Sequence, residues 1–546
     1  MRSLLVLAAV ALAAAAHAEK ATVCTVTVNS ADEREAFRQY LPEDRYRFVE
    51  LVEHGRPDWL ASACERKVRC DVLIVSGHFA GNEFYSSRFD VDETLPVDEI
   101  ERVACSASCP DLFSQLKEVY LFGCDSLKPE PVKSAMPEII RGLVKEGHSQ
   151  AEAESIARAL SERNAESSRA RMRRVFPNVP VIYGFSSLAP YGRIAGPMLS
   201  RYFQSDGAET IGTGQISPKL LALFAPASMV VTSGLAPSDA NADYRAEACH
   251  YYDDRITTAG RVDFIHEVFA RDMPQVRIAF DRIEKFFTHL TPEQRAEPAS
   301  ADAIDRLGAD RSVREHYLGI TRDTQDPALR LRMIALAANV GWLAPAEQRA
   351  EELRLVADVL ASRDMGFPEV DLVCGLNDDH SLEPAPVALS QVRADTAPRA
   401  AALACLGEQG AHARVLEALA SSDEREVQIA QAYLRHRPIE TGELRKVAAS
   451  IAGMTGTSAQ VRALETLARQ HIADPATFEA LKQLYARTRS PAVQGAIAEI
   501  FLRAGAAALD DRDLAALLRQ HRVKAPAATG DLVDILIRRL QASQPG

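Results

Sequence analysis

Between Ala21 and Phe185 the chain alternates short runs of apolar, β-branched residues with stretches whose apolar positions recur at helical spacing. Short apolar runs closed by turn signals suit the buried central strands of a parallel sheet. The pattern predicts strands at Ala21–Val28, Tyr46–Val52, Cys70–Val75, Val119–Phe122 and Val179–Phe185. It predicts helices at Asp32–Tyr40, Asp58–Arg66, Val97–Val103 and Asp111–Lys117, with Glu83–Asp90 a small excursion or hairpin. Met136–Arg174 reads as mostly helical; Gly147 ends one helix, and Ser149 to Glu152 has the form of a capping box opening the next. A Gly/Pro-rich loop follows the fifth strand and runs through Gly196 and Pro197. Strands alternating with helices argue for a parallel α/β sheet.

The second half changes character. Leu220–Val231 is apolar and Ser233–Tyr244 is rich in turn residues. From about Val262 strand signals vanish, and amphipathic helices succeed one another to the end. Asp423-Glu-Arg-Glu-Val427, Thr457-Ser-Ala-Gln-Val461 and Ser490-Pro-Ala-Val493 open three similar helices, their valines 34 and 32 residues apart. Asp326-Pro-Ala-Leu329 and Thr396-Ala-Pro-Arg399 open comparable units. A helix pair of this size cannot bury its own apolar face, so neighbours stack into a solenoid. The pattern resembles HEAT repeats, somewhat short ones, with an irregular helical bundle as the alternative. Asp531–Leu540 is a last amphipathic helix placed to cap the stack. The expected organisation is therefore a leader at 1–18, an α/β domain at 19–205, a connector at 206–261 and a helical repeat domain at 262–546.

Composition sets the surroundings. A chain of 546 residues is too long for a single core. A net charge of −12 argues against nucleic acid as the main partner, since phosphate binding needs clustered Lys and Arg. Met1-Arg2-Ser3, the apolar run Leu4–Ala16 and the small-x-small Ala16-His17-Ala18 read as a secretory signal peptide, too short to span a bilayer. No later stretch is apolar for the length of a membrane span. The mature protein is expected to be periplasmic or secreted. Nine cysteines in an oxidising space leave at least one unpaired: Cys24, Cys64, Cys70, Cys105, Cys109, Cys124, Cys249, Cys374 and Cys405. Up to four disulfides and one free thiol fit, with Cys124 the candidate for the free thiol; several free buried cysteines remain the alternative. No CxxC pair occurs, and Cys105-Ser-Ala-Ser-Cys109 has no nearby histidine, so no metal site and no cofactor are expected. Arg169, Arg171, Arg173 and Arg174 crowd one helix end. They read as a solvated face that complements the helix dipole or, alternatively, as an exposed processing site.

The chemistry centres on two strand ends. Asp71-Val-Leu-Ile-Val-Ser-Gly-His78 and Glu118-Val-Tyr-Leu-Phe-Gly-Cys124-Asp-Ser126 each carry a reactive side chain at or just past the strand. Ligands of parallel sheets gather beyond the carboxyl ends of the strands. If the two strands are neighbours, an imidazole and a thiol share one crevice, and the imidazole can activate the thiol as a nucleophile. A rival pairing joins Cys124 to His250 with Asp253 or Asp254. The structural reading of either residue alone is a small buried thiol and a hydrogen-bonded histidine.

The order His78 then Cys124, 46 residues apart on a parallel sheet, resembles the caspase-like cysteine peptidases (caspases, gingipains, separase and the CHAT proteases). The likeness covers about Ala21 to Gln204. It implies a caspase-like α/β fold, His78 and Cys124 as catalytic dyad, and backbone N–H groups near Phe79 and Gly123 as the oxyanion site. Phe79 stands where the family usually has Gly, and Gly123 where it often has Ala. The pocket for the residue before the scissile bond is implied near the fifth strand, at Phe185, Ser186 and Ser187. Asp125 and Glu83 are candidates for favouring a basic substrate residue, or else solvated loop carboxylates. The expectation is thus a secreted or periplasmic cysteine endopeptidase that cleaves protein or peptide substrates, with the helical repeats binding a protein partner. The alternatives are a non-catalytic scaffold with a degenerate caspase-like domain, and an acyltransferase or other thiol hydrolase using the same dyad.

Overall fold

The computed structural model describes residues 20–51, 60–86, 94–130, 167–239, 242–382, 393–504 without 409, 471 and 473, 513–523 and 532–542, with isolated positions between 140 and 154. It divides into two compact units, Met1–Asp323 and Thr324–Gly546.

The first unit is built on a mixed six-stranded sheet in the order β2-β1-β3-β7-β8-β9. Its strands are β1 (Ala21–Thr27), β2 (Tyr46–Glu50), β3 (Val72–Ser76), β7 (Glu118–Phe122), β8 (Val181–Phe185) and β9 (Met229–Thr232). The first five run parallel, and β9 closes the edge antiparallel to β8. Between β3 and β7 lies a second, three-stranded antiparallel sheet of β4 (His78–Phe79), β5 (Glu83–Tyr85) and β6 (Thr94–Pro96).

All five residues of β3 and of β7 are buried, because helices cover both faces. Alternate residues point to opposite sides. Val72, Ile74, Tyr120 and Phe122 pack on the layer of α1 (Asp32–Tyr40), which supplies Phe37. On the other face Leu73, Val75, Val119 and Leu121 pack against α2 (Ala61–Glu65), α3 (Val97–Cys105) and α4 (Ser168–Val175). Leu199 of α5 (Gly192–Gln204) and Phe224 of α6 (Pro218–Phe224) complete the first layer. Each aliphatic or aromatic side chain buried here contributes ~1.5–3 kcal/mol. The apolar runs can therefore be continuous instead of alternating.

Four segments depart from the expected pattern. Asp111–Lys117 forms turns, with Ser114 N–H donating to Asp111 O and Leu116 N–H to Phe113 O. Its Leu112 carbonyl accepts from Cys70 N–H, so a helical ladder has no hold there. The expected loop through Gly196 and Pro197 is instead helix α5. A Cβ at Gly196 would lie 3.2 Å from the Asp32 carbonyl, so the bare backbone lets α5 rest on α1. Met229–Thr232 is a strand hidden inside an apolar run that reads equally as helix. The arginines of α4 form neither a solvated face nor an exposed processing site. Arg174 pairs with Glu101 at 2.6 Å, both almost fully buried, Arg173 pairs with Asp239 at 2.7 Å, and Arg171 pairs with Asp98. Of the expected helix over Met136–Arg174, Gly147, Ser149 and Glu152 lie outside the described residues.

Helices follow: α7 (Ala242–Cys249), α8 (Thr258–Phe269), α9 (Met273–His289) and three more up to Asp323. Arg282 of α9 reaches Glu101 at 3.4 Å. Two guanidinium groups thus hold the Glu101 carboxyl ionised far below its usual range, against the opposing effect of burial.

The second unit contains twelve helices among its described residues, from Pro327–Val340 to Leu532–Ala542. One hydrophobic core of buried residues extends from Val370 to Leu540. The repeated openings start helices as their residues dictate. Asp326 accepts from Ala328 and Leu329 N–H, Asp423 from Arg425 N–H, and Ser490 from Val493 N–H.

The cysteines form Cys24–Cys70, Cys64–Cys109, Cys105–Cys249 and Cys374–Cys405. Cys124 is the free one. Among the described residues, no helix is long and apolar enough to cross a membrane, and no group of His, Cys, Asp and Glu is arranged to hold a metal ion.

Candidate active site

The parallel register of β3 and β7 pairs Val72 with Glu118 and ends by pairing Ser76 with Phe122. Gly77 N–H still donates to Phe122 O at 3.1 Å. Two residues beyond the last pair come His78 and Cys124, past the carboxyl ends of adjacent central strands. Both are half-buried.

Close packing fixes the two turns together. A Cβ added to Gly123 would lie 2.8 Å from Phe79 Cβ and 3.0 Å from both Gly77 O and Phe84 Cε1. Only glycine lets the two backbones approach this closely. The Phe79 ring turns inward, its centroid 4.7 Å from that of Phe84, so its bulk does not fill the crevice. Ala80 N–H donates to Glu83 O at 3.1 Å. By the alternation of an antiparallel pair, Phe79 then occupies a non-hydrogen-bonded position, and its N–H faces away from β5.

Asp125, directly after the thiol, has a left-handed backbone (φ 56°). Its N–H donates to Ser187 O at 2.7 Å, and Leu127 N–H donates to Phe185 O at 2.9 Å. The Ser126 hydroxyl accepts from Phe185 N–H at 3.1 Å and donates to Leu121 O at 3.4 Å. The thiol-bearing turn is thereby stapled to the end of β8.

The loop after β8 reaches the thiol itself: Ala189 N–H donates to Cys124 Sγ at 3.3 Å. The His78 ring lies 5.4 Å from Tyr85 and edge-on to Tyr191 at 6.1 Å between centroids. Its nitrogens make no hydrogen bond to the described residues.

Of the residues expected to line the pocket, Phe185 is fully buried, its ring 6.2 Å from both Phe122 and Phe224. Ser186 is half-buried and Ser187 exposed. Ser186 N–H bonds Ser228 O, and the Ser187 hydroxyl bonds that of Ser228 at 2.8 Å. Asp125 is paired with Lys128 at 3.6 Å. The rival histidine is engaged elsewhere: His250 stacks on Phe264, and its neighbour Cys249 is bonded to Cys105. Asp254 holds the Ser106 hydroxyl and the N–H groups of Ala107 and Ser108. That loop leads from α3 to Glu118, the amino end of β7, so Asp254 belongs to the edge of the sheet opposite Cys124.

Two features of the site escaped the sequence pattern. Leu188, Ala189 and Tyr191 looked like ordinary loop residues. Glu33, on the first turn of α1 and so at the same carboxyl edge, is almost fully buried; burial raises its carboxyl to about 7, and the Ser30 hydroxyl donates to it at 3.3 Å.

Compared with protein-family models, curated proteins and solved structures, the chain has no match. The class rests on the fold and the site alone: an α/β unit with a mostly parallel six-stranded sheet, a histidine and a free cysteine at its carboxyl edge, followed by a helical region.

Proposed function

We propose that the protein is a secreted or periplasmic cysteine endopeptidase of caspase-like type, with His78 and Cys124 as its dyad. One observation carries the reading. The only free cysteine among the described residues and a histidine with no hydrogen-bonding partner there each follow, by two residues, the last paired position of adjacent central strands. The four disulfides support an oxidising compartment, where a single surviving thiol is chemically conspicuous. The expected leader, residues 1–18, lies outside the described residues.

The chemistry follows. Cys124 thiolate attacks the scissile carbonyl carbon, forming a C–S bond and pushing the carbonyl electrons onto oxygen. The oxyanion is met by backbone N–H groups at Phe79 and Gly123, each such donor contributing ~3 kcal/mol in hydrolases of this chemistry. His78 gives its proton to the leaving amine, the C–N bond breaks, and an acyl-enzyme remains. His78 then takes a proton from water as it attacks, and the thiolate is restored. No metal or cofactor enters this scheme. The helical unit serves as a HEAT-like solenoid that holds a protein partner, a role supported by its recurring capped helices and continuous core.

The test is cleavage of an unfolded, fluorescently quenched polypeptide by the chain from residue 19, produced under oxidising conditions. Cys124→Ser is expected to lose ~10⁴-fold or more of the activity, and His78→Ala ~10²–10⁴-fold. Equal, negligible turnover by all three proteins would favour the scaffold reading.

A further inference from the structure

The dyad reading leaves the recognised side chain open, and the surface beside the dyad bears on it. Few large hydrophobic residues are exposed among the described ones, and three of them fall within seven positions: Leu188 at 75%, Tyr191 at 60% and Ile194 at 49%. Scattered exposed apolar residues need no explanation. These three lie close together in sequence, and the segment that carries them meets the dyad at two points. Ala189, between Leu188 and Tyr191, donates to Cys124 Sγ, and the Tyr191 ring meets the edge of the His78 ring.

The segment is held firmly at both ends. Ser187 is bound to Ser228 through N–H and hydroxyl, and its carbonyl accepts from Asp125 N–H. At Gly192, where α5 begins, a Cβ would lie 2.0 Å from Ser30 Oγ, so the backbone is pressed against the β1–α1 turn. The Arg193 guanidinium lies over the Tyr191 ring at 5.7 Å. An apolar surface fixed in this way has little ordering cost left when a partner arrives. The nearest candidate for attracting a basic residue, Asp125, has its charge answered by Lys128.

We propose that Leu188, Tyr191 and Ile194 form a specificity surface that receives an aliphatic or aromatic side chain of an extended polypeptide, next to the bond attacked by Cys124. This inference rests on the His78–Cys124 reading. It assigns the substrate class by apolar contact, whereas the charged residues of the rim predict a basic side chain.

The experiment uses peptidyl chloromethyl ketones carrying Leu, Phe, Arg or Asp next to the warhead, on the chain from residue 19. The thiolate attacks the methylene carbon, the C–S bond forms, and chloride leaves. Each second-order rate at Cys124 is divided by the rate with iodoacetamide, which has no side chain to recognise. The Leu or Phe probe is expected to exceed the Arg and Asp probes about tenfold or more, since each apolar contact changes such ratios ~10–200-fold. Leu188→Ser with Ile194→Ser, both at exposed positions, is expected to lower the Leu ratio about tenfold or more. An Arg or Asp preference, or a ratio unmoved in the double variant, overturns the inference while leaving the dyad intact. A Cys124 that meets iodoacetamide no faster than a denatured thiol, with or without His78, removes the dyad and this inference together.

Discussion

Gly123 is where the account makes its sharpest structural prediction. Gly123→Ala places a methyl group 2.8 Å from Phe79 Cβ and 3.0 Å from Gly77 O and Phe84 Cε1. Two of these three atoms are backbone or rooted on it, so no flexible side-chain tip can swing clear. Overpacking of this kind costs ~1–3 kcal/mol. Alanine returns ~0.4–1 kcal/mol by stiffening the unfolded chain. The midpoints of the two ranges leave a net loss of ~1.3 kcal/mol, or ~3–5 °C in the melting of the α/β unit. The strain falls on Phe79, whose N–H is assigned to the oxyanion, so alkylation of Cys124 by a peptidyl probe should also slow. Gly319, in the helix Arg311–Asp323, has nothing within 4 Å of an added Cβ and supplies the contrast. Gly319→Ala should raise stability by ~0.5–1 kcal/mol. Calorimetry of both variants decides the matter: a Gly123→Ala protein that melts no lower than the parent refutes the close apposition of the two turns.

Other consequences can be measured in the same protein. The Glu33 carboxyl is raised to about 7, above its unfolded value of 4.5. Its contribution is therefore full below pH 4.5 and lost as pH rises through 7, by ~3 kcal/mol. Denaturant midpoints at pH 5 and pH 8 should show Glu33→Gln gaining on the parent at the higher pH; a variant that loses ground there contradicts the burial argument. Glu101→Gln strips the charge from a pair with Arg174 and should cost ~3–5 kcal/mol in urea unfolding, whereas a loss below 1 kcal/mol would mean that Arg174 finds another anion. Replacing Cys105 and Cys249 by Ser opens a loop with a sequence separation of 144. The chain-entropy estimate for that loop is ~5 kcal/mol, read as a lowered urea midpoint. An unmoved midpoint would locate the stability of α3 and α7 elsewhere.

How much of this was legible in the chain varies by element. The five parallel strands and α1 stand where the apolar runs put them, because a sheet covered on both faces demands such runs and little else produces them. The adjacency of β3 and β7 is a long-range pairing that no local pattern encodes; order along the chain and the likeness to a known topology suggested it. Four disulfides and a free Cys124 agree with the parity of the cysteine count, but the partners had to come from three-dimensional proximity. Helix α5 was hidden by Gly196 and Pro197, which signal a loop until Asp32 of α1 is seen packed against the bare backbone. The arginines of α4 looked like a solvated face because their acidic partners, Asp98, Glu101 and Asp239, lie ~70 residues away in sequence. The recognition surface at Leu188 and Tyr191 has no periodicity, and its meaning comes only from its contact with Cys124 and His78.

The central claim is that His78 activates Cys124, and the pH dependence of Cys124 alkylation tests it most directly. Iodoacetamide would be reacted with the folded chain from residue 19 across pH 5 to 9, and modified sites mapped by mass spectrometry in parent and His78→Ala. Fast, single-site modification of Cys124 is predicted in the parent, ahead of the same thiol in the unfolded chain, with a slower reaction in His78→Ala. Identical profiles in the two proteins, or a Cys124 that reacts only after unfolding, would contradict it.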